Sequence, residues 1–311
     1  LETESSSAVS KKKQKESQPP KVFHFATINK PIEDLQSKLE KDLKRESLTA
    51  TDQKTGAGLL LMRIAVLFAR HLYDSIRFLC SDEKTKGRRP EYVLAVPSIT
   101  RTLQEILFTV MYIGEDFPAR SDRYYKASWR ERMDERGKYC NEHSNKAEWK
   151  PFLNKYQQAL KEGIEQIKLT EEEGKKSQII EHFHVGMRLL ENMSKENLPF
   201  ARWMDKWFYQ ETSAIAHFTP LGTHRIAPYL MYDMVPRPNT KQMAEESLKR
   251  FTAFYVIMST SVVLSIASEL EHLFSLGNRD QIVDIWEKMR IDSPDCEEVC
   301  TRRYDKLLKM R

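Results

Sequence analysis

The chain has 311 residues, 40% of them hydrophobic and 31% charged, with a mean hydropathy of −0.60, enough to bury one large core or two modest ones. Its glycine content is roughly 3% against the usual ~7%, and neither G-x-G-x-x-G nor G-x-x-x-x-G-K-[ST] occurs, which excludes the common nucleotide-binding loops. The net charge of +5 is concentrated in residues 1–30, where six lysines face three glutamates, so the body is nearly balanced.

That leader is rich in Ser, Lys, Gln and Pro, the composition of a solvated disordered tail. It is polar and lacks the apolar run of a secretory signal, and it opens at Leu1, as a trimmed or partial chain would. A helix is predicted from Pro31 to about Glu46, with Leu35, Leu39 and Leu43 as a narrow stripe. Gly56 and Gly58 are read as a break. Leu59–Cys80 follows as a strong helix, with Leu60, Ile64, Leu67, His71 and Phe78 on one side and Phe68 widening the stripe. So broad a stripe is expected to be largely buried.

After a polar loop, Glu91–Glu115 reads as a helix restarted at Pro97, with Ser98 or Thr100 as cap. Pro118–His143 is a long basic helix and Glu148–Ile167 another; Thr170 opens one running to about Met193. Pro199–Phe218 is followed by a crossing punctuated by four prolines. Thr240–Leu276 is the long apolar helix, ended by Gly277, and two short helices finish the chain. Within it, Phe251–Ser268 has no charge but holds six Ser/Thr, which fits a helix buried on all sides rather than one in lipid.

No run has strand period. The expectation is an all-α multi-helix bundle: residues 1–30 a basic tail, 31–276 the bundle, 277–311 a C-terminal helical appendage.

Two helices carry a polar constellation on otherwise apolar faces. Arg101 and Glu105 stand four apart; Tyr209, Ser213 and His217 follow at i, i+4 and i+8. If those faces meet, the five form one network inside the bundle, because an ionised arginine needs acceptors and a histidine in a core needs a partner. Such a network either fixes helix register or works as a catalytic site, with His217 moving protons and Arg101 stabilising an anion.

A second constellation is basic. Residues 120–138 have net charge +3 with aromatic residues interleaved, so Arg123, Lys126 and Arg130 can meet phosphates while Trp129 stacks on bases. The alternative is an amphipathic helix whose rings pack inward. A third is metal-like: Glu105, Glu181-x-x-His184, Glu211 and Glu269-x-x-His272 run in the ligand order of di-iron carboxylate bundles. Cys80 and Cys140 stand alone, and Cys296-x-x-x-Cys300 lacks the second pair that a zinc site requires.

The R-x-x-x-E of Arg101/Glu105 and the Y-x-x-x-S-x-x-x-H of Tyr209/Ser213/His217 resemble a bacterial family of uncharacterised all-helical domains, over roughly residues 59–275. The likeness implies a helical fold and no settled activity. A fainter one is to HEPN-type helical domains, often dimeric ribonucleases, whose signature is Arg, four to six residues, then His. Here seven residues separate Arg63 from His71 and fourteen separate Arg202 from His217, so a composite Arg101/His217 site would have to stand in.

The reading is therefore a cytoplasmic helical binding or assembly module, in stress or phage defence by family likeness. The alternatives are a HEPN-like RNA-binding or metal-independent RNA-cleaving protein using Arg101 and His217, and a di-metal bundle. No cofactor is expected; the expected partners are RNA, a protein or a second copy, and no membrane.

Overall fold

The computed structural model describes residues 26–80, 90–167, 190, 192–217, 219–230 and 240–310. Nearly all of the described residues are helical, and none of them forms a strand. The first helix, α1 (Ala26–Thr49), begins earlier than expected, and Ile28, Ile32, Leu35, Leu39 and Leu43 form its buried stripe. Asp52, whose carboxylate accepts from Thr55 N at 2.9 Å, then caps α2 (Gln53–Cys80). The expected break at Gly56 and Gly58 is absent: the helix runs through both. A Cβ on Gly58 would come within 2.6 Å of Phe117 and Ser121, so glycine there lets α2 approach the following helices closely.

A 3₁₀ turn (Pro90–Ala95) leads into α3 (Val96–Gly114), with Pro97 in the first turn as its missing N–H permits. Neither Ser98 nor Thr100 caps it. Thr100 instead bonds back to Val96 O and across to Ser259 at 2.7 Å. Helix α4 (Ala119–His143) pairs with α5 (Lys150–Ile167). Two short helices follow, α6 (Leu198–Met204) and α7 (Gln210–Ala216), joined by a π-helical turn at Asp205–Tyr209, and then α8 (Pro220–Leu230). The helix expected from Thr170 lies outside the described residues except at its end.

The long α9 (Thr240–Phe274) is the axis, touching α1, α2 and α3. Its hydroxyls explain how the uncharged stretch 251–268 can be so rich in Ser and Thr. Ser259, Thr260 and Ser268 bond back one turn, and the same groups meet Thr100, Tyr73 and the Trp286 indole on neighbours. In the last segment, α10 (Arg279–Asp292), α11 (Pro294–Val299), a π turn and α12 (Asp305–Leu307), the residues Trp286, Cys296, Cys300 and Tyr304 are fully buried in one cluster with α9.

Among the described residues, three helices are long and apolar enough to cross a membrane by length and composition, and they are covered very unequally: 72% of the apolar window is buried in α9 but 28% in α2. The expectation that the α2 stripe is largely buried is thus corrected. Leu60, Ile64, Phe68 and Phe78 are 42%, 49%, 50% and 39% exposed, because α1, α3 and α9 pack against the opposite arc of the helix.

Candidate functional site

Helices α3 and α7 bring four of the five expected residues together. Arg101 Nε and Nη2 both donate to the Tyr209 hydroxyl at 3.1 Å. That hydroxyl in turn donates to Glu105 Oε1 at 3.1 Å, the same oxygen that Arg101 Nη2 meets at 3.1 Å. Arg101 Nη1 lies 2.9 Å from His217 Nε2. Arginine offers only donors, so the nitrogen it meets carries the ring's lone pair and the imidazole proton sits on Nδ1. Ser213 enters through its backbone, its carbonyl accepting from His217 N at 3.0 Å.

Local structure explains the placement. The π turn ends at Tyr209 and adds one residue to the turn, re-aiming that side chain toward α3. Beyond it, α7 stops at Ala216 and His217 forms the C-cap, which leaves the imidazole exposed while Tyr209 is buried. The stop is built by Thr219, whose N–H and hydroxyl both reach Ala214 O at 3.1 Å. Gly222 follows where a Cβ would fall 2.1 Å from that carbonyl. Gln104 and Thr212, bonded at 3.2 Å, lock the two helices beneath the cluster. Burial raises the Tyr209 phenol above its ordinary pKa, so it stays protonated and keeps donating.

Periodicity alone did not reveal that Glu105 also lines a groove of about 220 Å³ between α2, α3 and α4. Its walls are apolar, with Ile64, Phe68, Ile106 and Tyr124 among them. Thr102 and Thr109 line it too, but their hydroxyls bond to Ser98 O and Glu105 O. Glu105 is the charged side chain among the described residues that line it.

The basic constellation on α4 is spread differently. Arg123 is exposed, Lys126 pairs with Asp122 at 3.0 Å and Arg130 reaches Asp134 at 4.0 Å. The Trp129 ring packs on α5, where a Cβ on Gly163 would meet it at 1.9 Å. Of the metal-like set, Glu181 and His184 lie outside the described residues. Glu269 is engaged by Arg303 and Tyr304, and no cluster of three or more metal-ligating groups occurs among the described residues. Burial pushes the Cys80 thiol up to about 12, away from a reactive thiolate.

No curated protein and no solved structure matches the chain. Residues 59–227, which carry both walls of the groove and all of the Arg101, Glu105, Tyr209 and His217 cluster, match a family of unknown function. The match spans more than half of the sequence, and the chain belongs to that family, DUF5677.

Proposed function

We propose that the domain is a recognition module whose binding site is the groove between α2, α3 and α4, with Glu105 as its polar anchor. One observation carries this reading: the Glu105 carboxylate, held by Tyr209 and Arg101, is the charged group in a groove whose other walls are mostly apolar. A ligand suited to it presents one ring-sized apolar group beside a cation or a strong hydrogen-bond donor. An anionic group would meet a carboxylate between low-dielectric walls and be repelled. Arg101 and Tyr209 act as positioning residues that hold Glu105 in one rotamer, so its geometry is set before a ligand arrives.

Ribonucleolytic use of the same residues has less support. The lone pair of His217 Nε2, which a general base needs, faces Arg101. The ring of Trp129, which would stack on a base, is packed against α5.

Two fragments test the groove. Phenethylamine and phenylacetate share a ring and differ in the sign of the charged end. Titrated into the full chain and followed by NMR, phenethylamine is expected to perturb the groove resonances with saturation, phenylacetate to leave them unmoved, and Glu105→Gln to abolish the effect. Equal response to both fragments, or binding indifferent to Glu105→Gln, overturns the reading.

A further inference from the structure

The outer face of α2 carries the exposed apolar side chains Leu60, Ile64, Phe68 and Phe78. On a 100° wheel, Leu60, Ile64, Leu67, His71, Ser75 and Phe78 fall within about 80° and run about 27 Å along the axis. None is Asp, Glu, Lys or Arg, and five of the six are exposed in addition to the half-exposed Phe68 that borders them. The helix's charges lie on the other flank, toward α1: Arg63 reaches Glu40 at 2.7 Å and Arg77 pairs with Glu33. Leu60, Ile64, Phe68 and Phe78 leave on the order of 350 Å² of apolar surface open, close to half of the ~800 Å² that each partner buries in a stable dimer.

The stripe is nearly symmetric about Ala69, with paired offsets of two and two, five and six, and nine and nine residues. Stepping outward from Ala69, Leu67 is matched by His71, Ile64 by Ser75 and Leu60 by Phe78. Each pair sets a larger apolar group against a group able to receive it. We infer that α2 is the interface of a two-fold dimer, packed antiparallel against α2 of a second copy with the axis near Ala69. In that register Leu60 meets Phe78 of the second copy, Ile64 meets Ser75, and Leu67 meets His71. An antiparallel pair also brings like flanks together, so Arg63 comes within one residue of Asp74 of the second copy, twice by symmetry. Asp74 is available for this: its side chain is 45% exposed and held within the chain by Arg77 at 3.6 Å. A partner with charged groups on its face would desolvate them against an uncharged stripe, whereas a second copy offers the same stripe. The inference goes beyond the groove's ligand, although Ile64 and Phe68 stand at the edge that groove and interface share.

The test uses the full chain. Light scattering after gel filtration at micromolar concentration is expected to give a dimer. Ile64→Glu, at a half-exposed position that the protomer tolerates, is expected to give a monomer with unchanged circular dichroism and melting of secondary structure. Register is read by disulfide formation in a Cys80→Ser background. Leu60→Cys with Phe78→Cys, too far apart to bond within one chain, should give a covalent dimer on oxidation, and Leu60→Cys alone should not. A wild-type monomer overturns the inference, as does a dimer that survives Ile64→Glu or a double-cysteine variant that fails to cross-link. A monomer that floats with phosphatidylcholine–phosphatidylglycerol vesicles overturns it too, in favour of a lipid surface.

Discussion

The Tyr209 hydroxyl spends its whole hydrogen-bonding capacity on two side chains from another helix: its proton goes to Glu105 and its lone pairs face Arg101 Nε and Nη2. Tyr209→Phe keeps the ring against Phe108, 6.0 Å between centroids, and removes only the oxygen. The expected cost is about 1–3 kcal/mol, since two partly buried donors and an acceptor lose their partner together. Urea unfolding measures it, and an unchanged midpoint would show that water replaces the hydroxyl without loss. Four members of this cluster were legible as residues, because i, i+4 spacing puts Arg101 with Glu105 and Tyr209 on the line to His217. The exclusion of the Ser213 side chain was not, since regular spacing gives no sign of a π turn before Tyr209 or of a helix that stops at Ala216.

At the scale of elements, Glu115 joins the end of α3 to the segment that leads into α6. It accepts from Ser194 N at 2.8 Å and Asn197 Nδ2 at 2.6 Å, and pairs with Arg120 at 2.6 Å. Burial by itself would raise its pKa, but these bonds to Ser194, Asn197 and Arg120 outweigh it and the net shift is downward. A carboxylate with a lowered folded pKa stabilises the fold above its unfolded pKa, and that contribution is lost as pH falls through the folded value. Glu115→Gln should therefore cost about 1–3 kcal/mol at neutral pH. The gap between variant and wild type should close in acid. A gap that stays constant from neutral to acid pH would assign the loss to shape rather than charge. Helix boundaries were less legible than helix existence. The cap that starts α2 is Asp52, and the Gly56/Gly58 pair that looked like a break serves close packing instead, a difference that depends on where Phe117 and Ser121 sit.

At the scale of the molecule, the C-terminal helices complete the core. Trp286 is fully buried, stacks on Tyr304 at 5.3 Å between ring centroids and donates to Ser268 of α9 at 3.0 Å. Trp286→Ala should cost about 3–5 kcal/mol, the range for emptying an aromatic site in a packed interior. A loss under one kcal/mol, read from the thermal or urea transition, would mean that residues beyond 277 are a separable appendage after all.

The sequence by itself determined that the chain is helical, where most helices run, that Phe251–Ser268 is enclosed, and which polar residues share a helix face. These follow from periodicity and backbone chemistry, which act over a few residues. The tertiary structure decided which apolar faces are covered and which polar faces meet. The α2 stripe reads in sequence as largely buried, yet it is half open, because burial depends on neighbours distant in the chain. Arg101 and Tyr209 are 108 positions apart, and only the packing of α3 on α7 brings them within hydrogen-bond range. Glu105 lines the groove for the same reason: its walls come from three helices, and no local pattern encodes their distance.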